Sequence, residues 1–413
     1  MGQARLLSGV IQPYSWGSTT ALAQMMGCRV PTKQPQAELW FGTHPRGPAQ
    51  LLDASLSGAE VCGQGDSGGP RAAGGLASVG LDEVIAADPV GQLGVEVARK
   101  FADQLPFMLK VLAVAEPLSL QAHPSRSQAQ AGFEAEEQKS ISSDAPNRSF
   151  VDRNHKPELL CALGPFVALC GFRNLDATAE LLGSLGVVGL APAIELLQAP
   201  ELDESDRVHR VLAWLWTLDK QLGTELAVKV ARACSVPGAF GTERRWAVRI
   251  AKCHPGDVGV VVALMLNVVS LKAGQAIFLE AGNLHCYLDG VGVEVMSNSD
   301  NVLRGGLTQK HINTAALLEV VNCDPGTVSP LTATEPNHTF RPPVAEFCLT
   351  RMEVAKPVQC VSHGPEIALC VAGEVSVAGQ RVASGQAAWI PATNREFEIA
   401  GTGLVFRAAA GSW

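Results

Sequence analysis

The chain has 413 residues, 47% of them hydrophobic and 17% charged, which is enough apolar material for packed cores in two or three domains. Its formal net charge of −8 argues against nucleic acid as a partner, because a polyphosphate backbone and an acidic surface repel one another.

The opening residues Met1-Gly2-Gln3-Ala4-Arg5-Leu6-Leu7 lack a signal-peptide core, and Leu6 departs from the myristoylation pattern, so a cytoplasmic location without a membrane anchor is expected. Ala54 to Val79 is rich in Gly, Ser and Ala and predicts a flexible surface loop. A strand is predicted over Phe107 to Val114, followed by Pro117-Leu118-Ser119-Leu120 and then Gln121-Ala122-His123-Pro124. Alternation places Gln121 and His123 on one face.

Asn154-His155-Lys156-Pro157-Glu158 follows Phe150-Val151-Asp152 and leads into the apolar run Leu159-Leu160-Cys161-Ala162-Leu163. Alone it would be a polar turn closed by a proline. At the mouth of a buried strand it also sets proton-transfer and metal-ligating groups on a rigid scaffold.

From Asn174 to about Gly256 the apolar spacing becomes helical, in Ala177-Glu180-Leu181-Leu182, Val208-Val211-Leu212-Leu215 and Leu222-Leu226-Val230. The acidic stretch Glu201 to Asp206 suits a helix N-terminus, and Trp214, Trp216 and Trp246 are expected to pack in a core. Val258 to Leu271 is apolar but interrupted by Asn267, and it falls short of the roughly 20 residues a bilayer requires.

Strands return at Val269-Ser270-Leu271 and Gln275 to Leu279, before the turn Glu280-Ala281-Gly282-Asn283-Leu284-His285, and again at Gly290 to Met296. Short strands between glycine turns are the pattern of a jelly roll. Ile367 to Val377 and Gly385 to Pro391 repeat it, and there His363 stands without a cluster of ligands, so no metal site is expected in the tail. The cysteines form no Cys-x-x-Cys pair, and Cys161, Cys170, Cys286 and Cys370, inside apolar runs, are expected to be reduced core residues.

Each histidine at a strand end is, on its own, more often a hydrogen-bonded surface group than a ligand. Together, two imidazoles, one carboxylate and one amide oxygen can hold a divalent metal with a position left for water or substrate. That inventory is Gln121, His123, Glu158 and His285.

With Tyr14-Ser15-Trp16-Gly17, Ala37 to Gly47, Pro106 to Leu112, Ser119 to Pro124, Asn154 to Glu158, Leu169 to Arg173, Gly282 to Tyr287 and Ser299 to Thr308 in order along the chain, the sequence resembles the type I phosphomannose isomerases. The resemblance runs to about residue 312; residues 331 to 413 match only in general character. It implies a zinc-dependent enzyme of mainly β, cupin/jelly-roll fold with an inserted α-helical domain. The expected division is a catalytic cupin domain over 1–160 and 257–330, a helical insert over 161–256, and a C-terminal cupin-like domain without a metal site over 331–413. The implied reaction interconverts mannose 6-phosphate and fructose 6-phosphate through an enediol. One zinc ion per chain, a sugar phosphate as partner and a monomer are expected, with no role for nucleic acid or membrane.

An aldose–ketose isomerisation needs a base, a Lewis acid for the developing enediolate and an anchor for the phosphate. Because the net charge would repel a sugar phosphate, the anchor must be a local basic cluster. Arg304 resembles the family's active-site arginine, and its guanidinium can hold an anionic oxygen bidentately. Lys310 and Lys110 are candidate phosphate partners, each with a solvated surface role as its commoner alternative, and Ser119 and Tyr287 complete the expected substrate-binding set. Lys156, Glu294 and His155 are the candidate proton-transfer groups, and the choice between Lys156 and Glu294 stays open. Glu294 would serve without a pKa shift, and its bland alternative is a surface carboxylate on an alternating strand. Gly305, where the family often has alanine, is a departure without obvious cost.

Two rival readings remain. A cupin oxygenase would use non-haem iron on two histidines and a carboxylate, and a sugar-phosphate sensor would keep the fold without turnover. Against the oxygenase stand Gln121 as a fourth ligand and the Arg304–Lys310 anion anchor; against the sensor stands the full set of ligands and bases.

Overall fold

The computed structural model of the chain describes residues 4–52 and 78–411. The glycine-rich loop expected over 54–79 lies outside the described residues except for its last two positions, which open the strand Ser78–Gly80. The architecture is mainly β, built on two ten-stranded sheets whose strand pairs are all antiparallel.

The site-bearing sheet contains Val10–Gln12, Glu38–Phe41, Phe107–Val114, Leu120–Ala122, Glu158–Phe172, Leu266–Leu271, Gln275–Leu279, His285–Ser297, Leu303–Gly306 and Leu331–Thr332. Its centre is the pairing of His285–Ser297 with both Phe107–Val114 and Glu158–Phe172. All eight residues of Phe107–Val114 are buried, so this strand does not alternate between apolar and polar. It has two inner faces instead. Phe107, Leu109, Val111 and Ala113 pack into a core with Leu7, Ile367, Leu369, Trp389 and Phe406 of the other sheet. The opposite face carries Lys110, and the cross-strand register sets Glu294 beside it and Leu160 beside Glu294.

The second sheet joins Asn337–Phe340, Cys348–Val354, Val358–Val361, Glu366–Val377, Gln380–Ala383, Ala387–Ile390 and Glu396–Ala409 to three strands from the front of the chain, Arg5–Ser8, Gln50–Leu52 and Ser78–Gly80. Leu6 pairs with Ala388. The expected boundaries, with residues 1–160 in one unit, therefore differ from the observed pairing. A three- or four-residue strand carries no signal of its partner, and the partner is chosen by the shared core.

Between Glu158–Phe172 and Leu266–Leu271 the chain is helical, with Leu175–Ser184, Ala191–Leu197, Glu204–Thr217, Lys220–Cys234, Gly241–Cys253 and Gly259–Met265. The helical region expected over 161–256 thus starts and ends later. Leu159 to Phe172 continue one long strand, and the apolar run Val258 to Leu271 divides into a helix and a strand. Asp203 caps Glu204–Thr217 by accepting from the Asp206 amide at 2.8 Å, and Val208, Val211, Leu212 and Leu215 are buried as their spacing predicts. In Lys220–Cys234 the inward positions are Gly223, Leu226, Ala227 and Val230; Leu222, expected inside, is exposed. Cys161, Cys170, Cys286 and Cys370 are free and buried. No helix among the described residues is long and apolar enough to cross a membrane.

Candidate active site

His123 follows the short strand Leu120–Ala122, Glu158 opens the long strand, and His285 opens His285–Ser297. Their ligand atoms lie within 4.8 Å of one another, and all three side chains are buried. His123 Nε2 is 3.4 Å from Glu158 Oε1, and His285 Nε2 is 3.6 Å from Glu158 Oε2. Among the described residues, His123 Nε2, His285 Nε2 and Glu158 Oε2 find no hydrogen-bond partner. Three unsatisfied polar atoms aimed at one buried point would be costly unless something there satisfies them.

Each imidazole is fixed by its other nitrogen. His123 Nδ1 meets the Asn301 carbonyl at 2.7 Å and His285 Nδ1 meets the Asn283 carbonyl at 2.9 Å. A carbonyl only accepts, so Nδ1 carries the proton in both rings and Nε2 presents a lone pair. Burial pushes both rings below the ordinary histidine pKa, His285 to about 4, which keeps them neutral and ligand-ready at neutral pH. Burial works against a charged Glu158, yet the Lys156 ammonium beside it holds its carboxyl well below the usual range. Lys156 Nζ donates to Glu158 Oε1 at 2.7 Å. The donor set fits a borderline divalent cation such as zinc. Gln121 pairs in register with His285 on one side and with Arg304 on the other, so its side chain shares their face.

Asn301, fully buried, binds two ligand-bearing segments together. Its backbone carbonyl accepts from His123 Nδ1, its Oδ1 accepts from the Val151 amide at 2.7 Å, and its Nδ2 donates to the Asp152 and Asn154 carbonyls, each at 2.8 Å. The loop that carries Lys156 and Glu158 is thereby tied to the loop that orients His123.

Around Lys110 stands a second polar cluster. Its Nζ lies 3.3 Å from Glu38 Oε2, 3.9 Å from Glu294 Oε2 and 5.1 Å from the centre of the Trp40 ring. Burial opposes the ammonium, but Glu38 and Glu294 raise its pKa above the usual lysine value. Glu294 is buried too, and Tyr287 Oη donates to its Oε1 at 2.8 Å. One lysine does not neutralise Glu38, Glu158 and Glu294 together. Burial, and then the charge on Glu158, push Glu294 up to about 8. Of the two readings left open for Glu294, the surface carboxylate does not hold, because a strand buried on both faces turned it inward, and the base without a pKa shift is corrected by the shift that this burial causes.

Arg304 is half-buried, and burial lowers its pKa. Exposed Lys310 is lowered by partial burial and by the charges of Arg304 and Arg46, which marks a cluster of cations. Ser119 is half-buried immediately before Leu120–Ala122. His155 is brought elsewhere, its Nε2 2.8 Å from Glu346 Oε1, a carboxylate that also accepts from Arg126 at 2.6 Å. Gly305 is no free departure. Trp216 Nε1 donates to its carbonyl at 2.8 Å, and a Cβ there would sit 2.9 Å from Trp216 Cζ2.

Several residues at the site were not singled out from sequence: Asn301, Glu38, Trp40, His44, Arg46, Asp300 and Glu346. Asp300 accepts from Arg46 and lies 3.1 Å from His44 Nε2. All but Glu346 fall within segments that carried the family resemblance. The available signal was the segment, because no local spacing distinguishes these polar residues from surface ones.

The sequence profile of the type I phosphomannose isomerase catalytic domain matches residues 5–65 and 69–175. Mannose-6-phosphate isomerase of Salmonella typhimurium is 35% identical over 410 residues, 96% of this chain and 97% of the relative. The human mannose-6-phosphate isomerase is 31% identical over 375 residues, 84% of this chain and 81% of its own. A crystal structure of a zinc-bound mannose 6-phosphate isomerase superposes with a TM-score of 0.86 at 32% identity and covers 100% of both chains. With agreement of this extent in sequence and in three dimensions, the chain belongs to the type I phosphomannose isomerase family.

Proposed function

We propose that the protein is a zinc-dependent mannose-6-phosphate isomerase, which interconverts mannose 6-phosphate and fructose 6-phosphate by proton transfer through an enediol. The observation that carries this reading is the convergence of His123 Nε2, His285 Nε2 and Glu158 Oε2, unpartnered and buried, beside a carboxyl of raised pKa. His123, Glu158 and His285 would hold the ion, with Gln121 on the same face as a fourth ligand. Zinc there would supply Lewis-acid polarisation of the sugar oxygens. Relatives named for this isomerase over nearly the whole chain support the reading, and neither the oxygenase nor the idle sensor is favoured.

Glu294 is the preferred base. In its ionised fraction, which grows as the pH rises towards 8, a carboxylate of this raised pKa is a strong enough base to take the C2 proton of mannose 6-phosphate and return it to C1, and Tyr287 orients it through Oε1. Lys156, bonded to Glu158, holds that carboxylate ionised, and His155 is engaged by Glu346. Lys110 stays charged beside Glu294. Arg304 and Lys310 anchor the phosphate, and Ser119 lies close to the metal-ligand strand.

The finer architecture belongs to the same reading: cupin-type jelly rolls, a catalytic one interrupted by the helical region and a C-terminal one without a metal site, in a cytoplasmic monomer. A coupled assay on mannose 6-phosphate before and after chelation tests the function, with loss on chelation and recovery on zinc expected. Arg304→Ala should lower kcat/KM at every pH by tens to about a thousandfold, equivalent to about 2–4 kcal/mol, since a guanidinium does not lose its charge at working pH. Near wild-type turnover in that variant would sink the anchor assignment.

A further inference from the structure

We propose that the helical region sets the position of the phosphate-anchoring loop, with Trp216 and Asp257 as positioning residues; the inference rests on the reading of Arg304 and Lys310 as that anchor. Leu303–Gly306 ends in a backbone that ordinary side chains resist, Gly306 at φ 134° and Leu307 at φ 57°. Such a conformation persists only where its surroundings over-determine it. Those surroundings come from the helices. Asp257 Oδ2 accepts from the Leu307 amide at 2.7 Å and the Thr308 amide at 3.3 Å, while its Oδ1 accepts from Gly259 at 2.8 Å, at the start of Gly259–Met265. One carboxylate thus joins the helix start to the loop between Arg304 and Lys310.

Trp216, near the end of Glu204–Thr217, adds a second attachment by donating to the Gly305 carbonyl at 2.8 Å. The fit is close on both sides. A Cβ on Gly305 would lie 2.9 Å from the Trp216 ring, and one on Gly306 would lie 3.0 Å from the Gly259 Cα. Three contacts therefore fix the peptides on either side of the anchor: indole to Gly305, glycine against glycine at 306, and carboxylate to Leu307 and Thr308. They act on Arg304 and Lys310 only through the backbone, and they make the spacing of the two cations a property of helix packing.

The test uses Asp257→Asn and Trp216→Phe in the full zinc-loaded enzyme, with inorganic phosphate as a competitive inhibitor. Asparagine has one acceptor oxygen where the loop and Gly259 use two, and phenylalanine keeps a ring but loses the N–H. Each variant should raise KM for mannose 6-phosphate and Ki for phosphate in parallel, by about five- to tenfold, with bound zinc unchanged and kcat altered by less than about threefold. In an Arg304→Ala background the same substitutions should raise Ki by clearly less than in the wild-type background, because the part of their effect that passes through Arg304 is already lost and only the part through Lys310 remains. Lower melting temperature with unchanged Ki in both variants, while Arg304→Ala raises Ki, would overturn the inference and leave the anchor intact. An unchanged Ki in Arg304→Ala would overturn the anchor, and the inference with it. Should Asp257→Asn fail to fold, Trp216→Phe alone decides.

Discussion

His123, Glu158 and His285 each point one unsatisfied atom at a common place, and the partners behind them matter nearly as much as the ligands. His123→Ala and His285→Ala should lose bound zinc and activity together, since three remaining donors hold the ion poorly. Asn301→Ala should keep all ligands and the backbone carbonyl behind His123, yet weaken zinc affinity by about tenfold, because the side-chain amide that ties the Val151 to Asn154 loop to the His123 segment is lost. Chelator competition on the purified variants measures both, and stoichiometric zinc in either histidine variant would refute the ligand set. Glu294 gives the pH signature. A base must be ionised to accept a proton, so kcat/KM should rise with pH along a limb whose apparent pKa lies above the usual carboxyl value and at most at about 8. In Glu294→Gln that limb should vanish and C2 proton exchange with deuterated water, followed by NMR, should stop. Normal exchange there would return the role to Lys156.

Two helical glycines separate propensity from packing. Gly223 in Lys220–Cys234 faces inward, and a Cβ added there would meet nothing closer than Val258 Cβ at 3.8 Å. Gly223→Ala should therefore stabilise the protein by about 0.5–1 kcal/mol through the unfolded chain's lost freedom. Gly132 in Arg126–Gln138 is the opposite case, because a Cβ there would fall 2.4 Å from the Phe150 ring. Gly132→Ala should destabilise by about 1–3 kcal/mol and disturb the segment that leads to Asp152 and Glu158. Thermal melts of both variants give the two signs. The comparison also shows what spacing reveals of an element. Val208, Val211, Leu212 and Leu215 follow a clean helical stripe and are all buried, but next door the pattern that included Leu222 chose the wrong edge. A glycine contributes no hydrophobic signal, so the inward position 223 was invisible.

At the scale of the whole molecule, the two ends of the chain share one sheet. Arg5–Ser8 lies between Ala387–Ile390 and Gln50–Leu52, so removing residues 331–413 should leave the front of the chain without its partner and yield an aggregating or protease-sensitive fragment. Limited proteolysis of the truncated protein checks this; a compact fragment with full activity would contradict it. The C-terminal region also holds the segment that leads into Glu158, since Glu346 pairs with His155 and Arg126. Among the described residues His363 belongs to no group of metal-ligating side chains, and its substitution should leave turnover unchanged. From sequence alone came the inward face of the helical region's main stripe, the strands at Phe107 and Gln275, and the chemistry-bearing segments that announced the family. These are local signals, written in period and residue type. Only the tertiary structure decided that Glu294 is buried with a raised pKa, that His155 turns to Glu346, that Gly305 makes room for Trp216, and that the N-terminal strand joins the C-terminal sheet. Each depends on which residues distant in sequence come to face one another. Burial and charge act through space, and a periodic pattern specifies a face without naming what will cover it.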